Sequence, residues 1–529
     1  MRKHSFLILI LLLGIILRLW GIRFGLPFFM HPDEPKLIEP AITWSFQIKE
    51  ILAGNWSLLD PKFYYYPSFL MYLLFGLLSL ARLVHSVIPF PILDNKETFY
   101  LMARLISVIC GVGQVFLIYR IGAKLSSKTV GLLAGLFTAI SVLLVRESHY
   151  YTGDIPAGFL MLFSLYLMIK WTENPKKYKY LIFSAVTIGL GVATKYYPIL
   201  MLAPLTYLVH SVQRGWERRF KTLFLSCVLI LGVFVATVPF SVINHRQFIS
   251  EFIESSLRSR EGVWGYVDPN PLGFLVNRDP SFHDPFSQNG LFQGISPFFL
   301  ILAIYGIYHL RRKVNYIPIF ILSATYYLFF AVHLTKIIRW MVPITPLILL
   351  FSAVGLVHLL QANNFRKWVG VLIMVFGVLW NLGHVIVIDY AFSNSDSRIQ
   401  TYVYLDEKLH DKSRVAFDYF GIPGFTQKEY EYLEFVHPRY NSHGEIDSSL
   451  PPDFEYLKNV FKPEFIIVNG SSRDRCKLKN MQKLFSESCS SWNEFYARVE
   501  KDYNVERDYK PQLFNNVESG PEMIIYVPK

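Results

Sequence analysis

Two neighbouring acids, Asp33 and Glu34, stand in the run Phe29-Met30-His31-Pro32-Asp33-Glu34-Pro35, just after a hydrophobic stretch from Ser5 to Ile22. A carboxylate at the centre of a bilayer costs roughly 2.5–3.5 kcal/mol on insertion scales, so this pair must face water or a polar cavity. One acid after a proline suits a helix N-terminus. Two acids flanked by His31 also suit a proton acceptor with an orienting partner. A second polar run, Arg146-Glu147-Ser148-His149-Tyr150-Tyr151-Thr152-Gly153-Asp154, ends in an acid that reads either as an N-cap ahead of Pro156 or as a further member of the same site. If Asp33 and Asp154 approach each other, they position a hydroxyl nucleophile. With His149 they also suffice chemically for a divalent cation, without specifying one, and the sequence demands no cofactor.

Cations recur at comparable places. Lys195 interrupts apolar sequence at Thr194-Lys195-Tyr196-Tyr197-Pro198, and Arg339 does so in Lys336-Ile337-Ile338-Arg339-Trp340. Each either snorkels from a helix end or binds an anionic headgroup such as a lipid phosphate. The segment His283-Asp284-Pro285-Phe286 lies in a long loop that reads as a lid or a plain connector. No P-loop, dinucleotide fingerprint, His-Glu-x-x-His or Gly-x-Ser-x-Gly run occurs, which argues against nucleotide-driven transport and the common hydrolases.

The elements that must position these residues are membrane helices. The 529 residues are 52% hydrophobic and only 17% charged, where a soluble protein carries about 25%. Twelve apolar stretches approach or reach spanning length: 5–22, 67–90, 99–122, 129–147, 155–171, 180–194, 196–212, 220–241, 292–310, 316–334, 338–360 and 366–389. Basic clusters around Arg120, Lys176, Arg218, Arg312 and Arg366 are separated by pairs of these stretches, so all fall on one face, the cytoplasmic one. With Arg2 and Lys3 also inside, stretch 67–90 is read as lying in the outer interface. About eleven spans of roughly 17–25 residues result, with the C-terminus outside. His31 to Lys36, 146–154, Lys195 to Pro198 and His333 to Arg339 then share the outer face. The helical pattern of Lys36 to Ala53 reads as an interfacial helix with Leu37, Ile38, Ala41, Trp44, Phe46, Ile48 and Ile51 toward lipid.

The first 389 residues hold 34 basic and 18 acidic side chains, and the last 140 hold 18 and 22. The basic excess is that of cytoplasmic loops and needs no nucleic acid. The N-terminus reads as an uncleaved signal anchor. Residues 1–389 form the expected membrane domain. Residues 390–529 form a small α/β module, with helices at 397–409 and 453–460 and strands at 414–420, 465–468 and 523–527. Cys110 and Cys227 read as packing residues. A Cys476–Cys489 bridge depends on the tail lying outside the cytoplasm.

The Asp33-Glu34 pair after the first span, Tyr64-Tyr65-Tyr66-Pro67, His149-Tyr150-Tyr151-Thr152-Gly153-Asp154, Thr194-Lys195-Tyr196 and Arg339-Trp340-x-x-Pro343-x-x-Pro346 together resemble the GT-C membrane glycosyltransferases. The branch they are most similar to is that of the dolichyl-phosphate-mannose protein mannosyltransferases and lipid A aminoarabinose transferases. The resemblance implies a mainly α, polytopic GT-C fold in the cytoplasmic membrane, facing outward. It implies a polyprenyl-phosphate sugar as donor, a protein, lipid or glycan hydroxyl as acceptor, and inversion at the sugar carbon. It makes Asp33 the base with Glu34 beside it and places Asp154 in the same cavity. His31, His149, Tyr150, Lys195, Tyr196 and Arg339 become substrate-binding residues, with Lys195 and Arg339 on the phosphate. Gly153 departs from the pattern, since relatives often carry another residue there. The rival reading is a transporter or flippase for lipid-linked sugars. An inactive scaffold whose tail binds partners would leave the acid pair unexplained.

Overall fold

The computed structural model describes residues 2–87, 95–262, 267–275, 290–394, 396–418, 430–435, 439–440, 446–447, 450–510 and 520–529. The run His283-Asp284-Pro285-Phe286 lies outside the described residues. The chain opens with apolar α1 (Arg2–Leu19), then α2 (Glu34–Phe46), α3 (Ile48–Leu52) and apolar α4 (Phe69–Val87). A long α5 (Lys96–Leu125) leads through α6 (Lys128–Ala139) and α7 (Val142–Glu147) to α8 (Asp154–Glu173), α9 (Lys179–Thr194) and α10 (Leu202–Val212). After α11 (Trp216–Thr237) come short α12 (Phe240–Ile243), polar α13 (His245–Glu261) and short α14 (Leu291–Gly294). Apolar α15 (Pro297–Leu310), α16 (Ile317–Ala331), α17 (Thr345–Leu360) and α18 (Asn364–Ser393) complete the helical body.

Among the described residues, five helical stretches are long and apolar enough to cross a membrane: Lys96–Leu125, Asp154–Glu173, Trp216–Thr237, Val314–Ala331 and Asn364–Ser393. Seven shorter apolar helices accompany them, and together they fall on the twelve stretches expected from hydropathy. Boundaries move where local chemistry demands. The stretch 129–147 breaks after Ala139 because Ser141 begins a separate short helix, and 338–360 begins as a 3-10 turn (Ile338–Met341) ahead of Pro343 and Pro346. The region 242–291 contains the full helix α13 rather than loop alone. Between α15 and α17, Gly306 and Gly355 face each other, and a Cβ on either would collide with the backbone of the opposite helix. Small residues let apolar helices approach this closely. Cys227 is exposed on α11, so it is not a packing residue.

One expectation is corrected. Leu37, Ile38, Ala41, Trp44 and Ile51 are buried rather than lipid-facing, because α4 covers α2 with Leu70, Met71, Leu74 and Leu78. Only Phe46 of the set is strongly exposed, and Arg82 of α4 stacks on its ring. The apolar stripe of α2 found a protein neighbour with its own matching stripe.

Past α18, α19 (Ser397–Lys408) is capped by Asp396, whose carboxylate accepts from the Arg398 amide. Strands β1 (Arg414–Asp418), β2 (Glu431–Phe435), β3 (Arg439–Tyr440), β4 (Ile446–Asp447), β5 (Phe465–Asn469), β6 (Tyr503–Tyr509) and β7 (Met523–Pro528) follow. Five form one sheet in the order β2-β1-β5-β7-β6, parallel across β2, β1 and β5 and antiparallel at β7 and β6. The expected helix at 453–460 is a π-helical turn, Tyr456–Phe461. Helix Ser486–Asp502 covers the sheet with Trp492, Phe495, Tyr496 and Val499, and Cys476 and Cys489 are joined by a disulfide in that core.

One small ladder links three parts of the chain. Leu334 and Thr335 donate to the Arg260 and Ser259 carbonyls at the end of α13, and Thr335 bridges Val267 in antiparallel fashion. The Val267 carbonyl in turn accepts from the Asn480 side chain at 3.2 Å.

Candidate functional site

Asp33 occupies the N-cap position of α2, yet its side chain makes no capping bond. It points instead to Arg339, whose Nη1 lies 2.6 Å from Asp33 Oδ2. The Asp33 amide is held by His31 Nδ1 at 3.2 Å, which fixes the turn from which the carboxylate projects. Tyr66, from the Tyr64-Tyr65-Tyr66-Pro67 run, lies beside the same carboxylate. Burial alone would raise the Asp33 pKa. Arg339 first, with Lys195 beside it, outweighs burial and holds this carboxyl well below the usual range, so Asp33 is ionised. Burial, opposed by Asp33 and Glu34, lowers His31 and keeps it largely neutral.

Asp154 begins α8, where a carboxylate complements the helix dipole. Its Oδ1 accepts from the Tyr197 hydroxyl at 3.1 Å. Its Oδ2 lies 3.8 Å from Lys195 Nζ and 4.0 Å from Arg339 Nε. Lys195 ends α9 in extended conformation, and its ammonium sits 3.9 Å from the centre of the Tyr66 ring. A Cβ on Gly153 would come within 2.8 Å of the Lys195 Cγ and Cε and 3.0 Å of the Thr194 carbonyl. The small residue ahead of Asp154 therefore makes room for the lysine. Four chain segments thus converge: the α2 start, the α8 start, the α9 end and the turn before α17.

Glu34 does not join this group, although it adjoins Asp33. It is fully buried and paired with Arg104, which donates Nε to Oε1 at 2.9 Å and Nη2 to Oε2 at 2.7 Å. The Tyr151 amide takes Oε1 as well, and Arg104 Nη1 reaches the Ile22 and Phe24 carbonyls. Glu34 so braces the loop after α1, with both of its oxygens engaged. His149 is likewise structural: its ring nitrogens lie 2.9 Å and 2.7 Å from the Val145 and Trp20 carbonyls. Tyr150 stacks on His31 and supports the turn rather than the cations. Tyr196 sends its hydroxyl to the Tyr64 carbonyl and its ring to Phe252. Lys336 is bound to the Ala331 and His333 carbonyls.

Besides Tyr66, three residues were missed from sequence. Tyr197 was passed over for its neighbour. Glu147 acts electrostatically on His31, Lys195 and Arg339 while Arg146 holds its Oε1. Arg104 was visible as a lone cation inside an apolar helix, which ordinarily marks a buried partner.

What the pocket offers is unspent polarity. Among the described residues, Asp154 Oδ2, Glu147 Oε2 and Arg339 Nε lack hydrogen-bond partners though buried. Buried orphans of this kind call for a ligand or water. A divalent cation fits poorly, because Arg339 and Lys195 stand against the very carboxylates it would need. No three His, Cys, Asp or Glu side chains gather as metal donors among the described residues. The set suits an anion held by Lys195 and Arg339 beside an ionised acid.

Residues 96–243 match the dolichyl-phosphate-mannose-protein mannosyltransferase family. No curated protein matches the chain. Among solved structures, ArnT from Cupriavidus metallidurans bound to undecaprenyl phosphate aligns over 99% of this chain and 98% of its own, with TM-score 0.54 and 13% identity. Its apo form aligns over the same shares at TM-score 0.54 and 11% identity. The archaeal oligosaccharyltransferase AglB from Archaeoglobus fulgidus, in complex with an inhibitory peptide and a dolichol-phosphate, aligns over 100% of this chain and 76% of its own, with TM-score 0.53 and 12% identity.

Proposed function

From the GT-C fold that this chain carries, we propose that it is a membrane glycosyltransferase that takes its sugar from a polyprenyl-phosphate donor. The observation that carries the reading is the meeting of Asp33, Asp154, Lys195 and Arg339 in one partly wet pocket. Lys195 and Arg339 hold the donor phosphate. Asp33 accepts the proton of an acceptor hydroxyl as that oxygen bonds to the sugar carbon. The bond from that carbon to the phosphate oxygen breaks, and the lipid phosphate leaves with its electron pair. Attack opposite the leaving group inverts the carbon. Cations beside the phosphate stabilise charge where it develops, which is worth several kcal/mol in a water-poor site. Asp154 fixes Lys195 and Arg339 in register, with Tyr197 fixing Asp154 in turn.

The pocket and residues 390–529 lie on the extracytoplasmic side. Two observations support this: basic loops collect on the other face, and a buried disulfide stands in the tail, as oxidising compartments permit. Residues 1–389 carry the transferase, and the tail is accessory and faces the acceptor. That AglB is known with a dolichol-phosphate and ArnT with undecaprenyl phosphate favours a lipid-linked donor here.

The test is transfer of a labelled sugar from polyprenyl phosphate by the purified protein in detergent or liposomes. Transfer that disappears in Asp33→Ala while the protein still inserts supports the assignment. Retained transfer in that variant removes Asp33 as base. Lipid-linked sugar crossing liposomes without any acceptor modification would point to a flippase instead.

A further inference from the structure

The pocket is self-neutralised before any substrate enters. Asp33, Glu147 and Asp154 stand opposite Arg146, Lys195 and Arg339, three charges of each sign. A phosphate entering here meets cations that already face carboxylates. Glu147 is gripped by Arg146 on the adjacent position, through Nε at 2.9 Å and Nη2 at 2.5 Å. Asp154 is wholly buried and takes the Tyr197 hydroxyl. Asp33 differs: its side chain is 16% exposed, it starts α2 from a loop, and Arg339 is its ion-pair partner. The Arg339 Nε edge faces the wholly buried Asp154 Oδ2 at 4.0 Å, whereas Nη1 faces the partly exposed Asp33.

Resting on the proposed function, we infer that donor phosphate and Asp33 compete for the same edge of Arg339, so that donor binding releases Asp33 to the acceptor. The guanidinium acts as a two-position clamp. With the pocket free of donor, it occupies the base, and a carboxylate so tightly paired is a weak proton acceptor. With phosphate bound, the planar fork takes two phosphate oxygens at once, where Asp33 offers its Nη1 a single oxygen. Asp33 is then left beside Tyr66 and solvent, with its basicity restored. Two consequences follow: donor binds before acceptor, and a hydroxyl or water meeting the donor-free enzyme encounters an unreactive base.

The experiment measures binding of undecaprenyl phosphate to the full-length protein in detergent, by native mass spectrometry or tryptophan fluorescence. Removing the competitor tightens binding: Asp33→Asn binds roughly tenfold more tightly than the unaltered protein, the usual scale of coupling between two ligands of one group. Asp33→Ala behaves alike, which guards against an asparagine that keeps a bond to Arg339. Arg339→Ala weakens binding by at least a similar factor. A purely structural Asp33 predicts the opposite sign, since its loss would disorder Arg339. Equal or weaker binding by both Asp33 variants, with Arg339→Ala still impaired, overturns the competition while leaving the proposed function standing. Failure of the unaltered protein to bind the lipid overturns both.

Discussion

Asp33 and Glu34 are adjacent in sequence, yet they belong to two regions built on opposite principles. The Glu34–Arg104 brace is dry and complete: the carboxylate takes two guanidinium bonds and an amide, and the arginine also serves two carbonyls. The Asp33–Arg339 pocket is partly open and incomplete, with orphan atoms on Asp154, Glu147 and Arg339. A saturated polar network specifies structure, whereas one left partly unsatisfied keeps capacity for a ligand. The side chains of consecutive residues point apart here because Glu34 starts the helix proper while Asp33 precedes it.

The contrast can be broken by mutation. The largest effect is expected at Asp33→Ala, which should lower turnover by about 10²–10⁴-fold, the share of a positioned base, while leaving the thermal unfolding midpoint nearly unchanged. Arg104→Ala should do the reverse. It strands a buried carboxylate and should cost about 3–5 kcal/mol of stability, measured by thermal unfolding in detergent. If Arg104→Ala unfolds no earlier than the parent, the brace is not structural and the contrast fails. Tyr197→Phe removes a hydrogen bond to the Asp154 side chain, worth about 0.5–1.5 kcal/mol. Its expected outcome is a loss of up to roughly tenfold in kcat/KM for the donor with folding intact. Gly153→Ala is the finest probe. The new methyl group crowds the lysine stem, an overpacking effect of about 1–3 kcal/mol, and should raise the KM for donor severalfold with little change in kcat. An unchanged KM would show that Lys195 does not need its present path.

Hydropathy made the apolar helices legible, because bilayer thickness constrains length strongly. It could not show that α4 covers α2, since a stripe facing lipid and a stripe facing another apolar helix have the same composition. At the site, Asp33, Asp154, Lys195 and Arg339 were legible as polar residues at helix ends where apolar sequence breaks. Glu34, His149 and Tyr196 were named for the same reason and proved to be occupied elsewhere, because residue type and spacing reveal neither which way a side chain turns nor how many bonds it makes. Tyr66 and Glu147 act through segments that only folding brings near. In the tail, β2 and β6 escaped notice because they are polar strands at the edges of the sheet.

The ladder formed by Leu334, Thr335, Val267 and Asn480 ties the far end of the chain to the segment that leads into the candidate site. Arg339 lies just beyond its last rung, in the 3-10 turn Ile338–Met341. Trimming the protein after α18 would therefore remove the Asn480 bond to that ladder, one guy-rope of the segment that carries the Arg339 guanidinium.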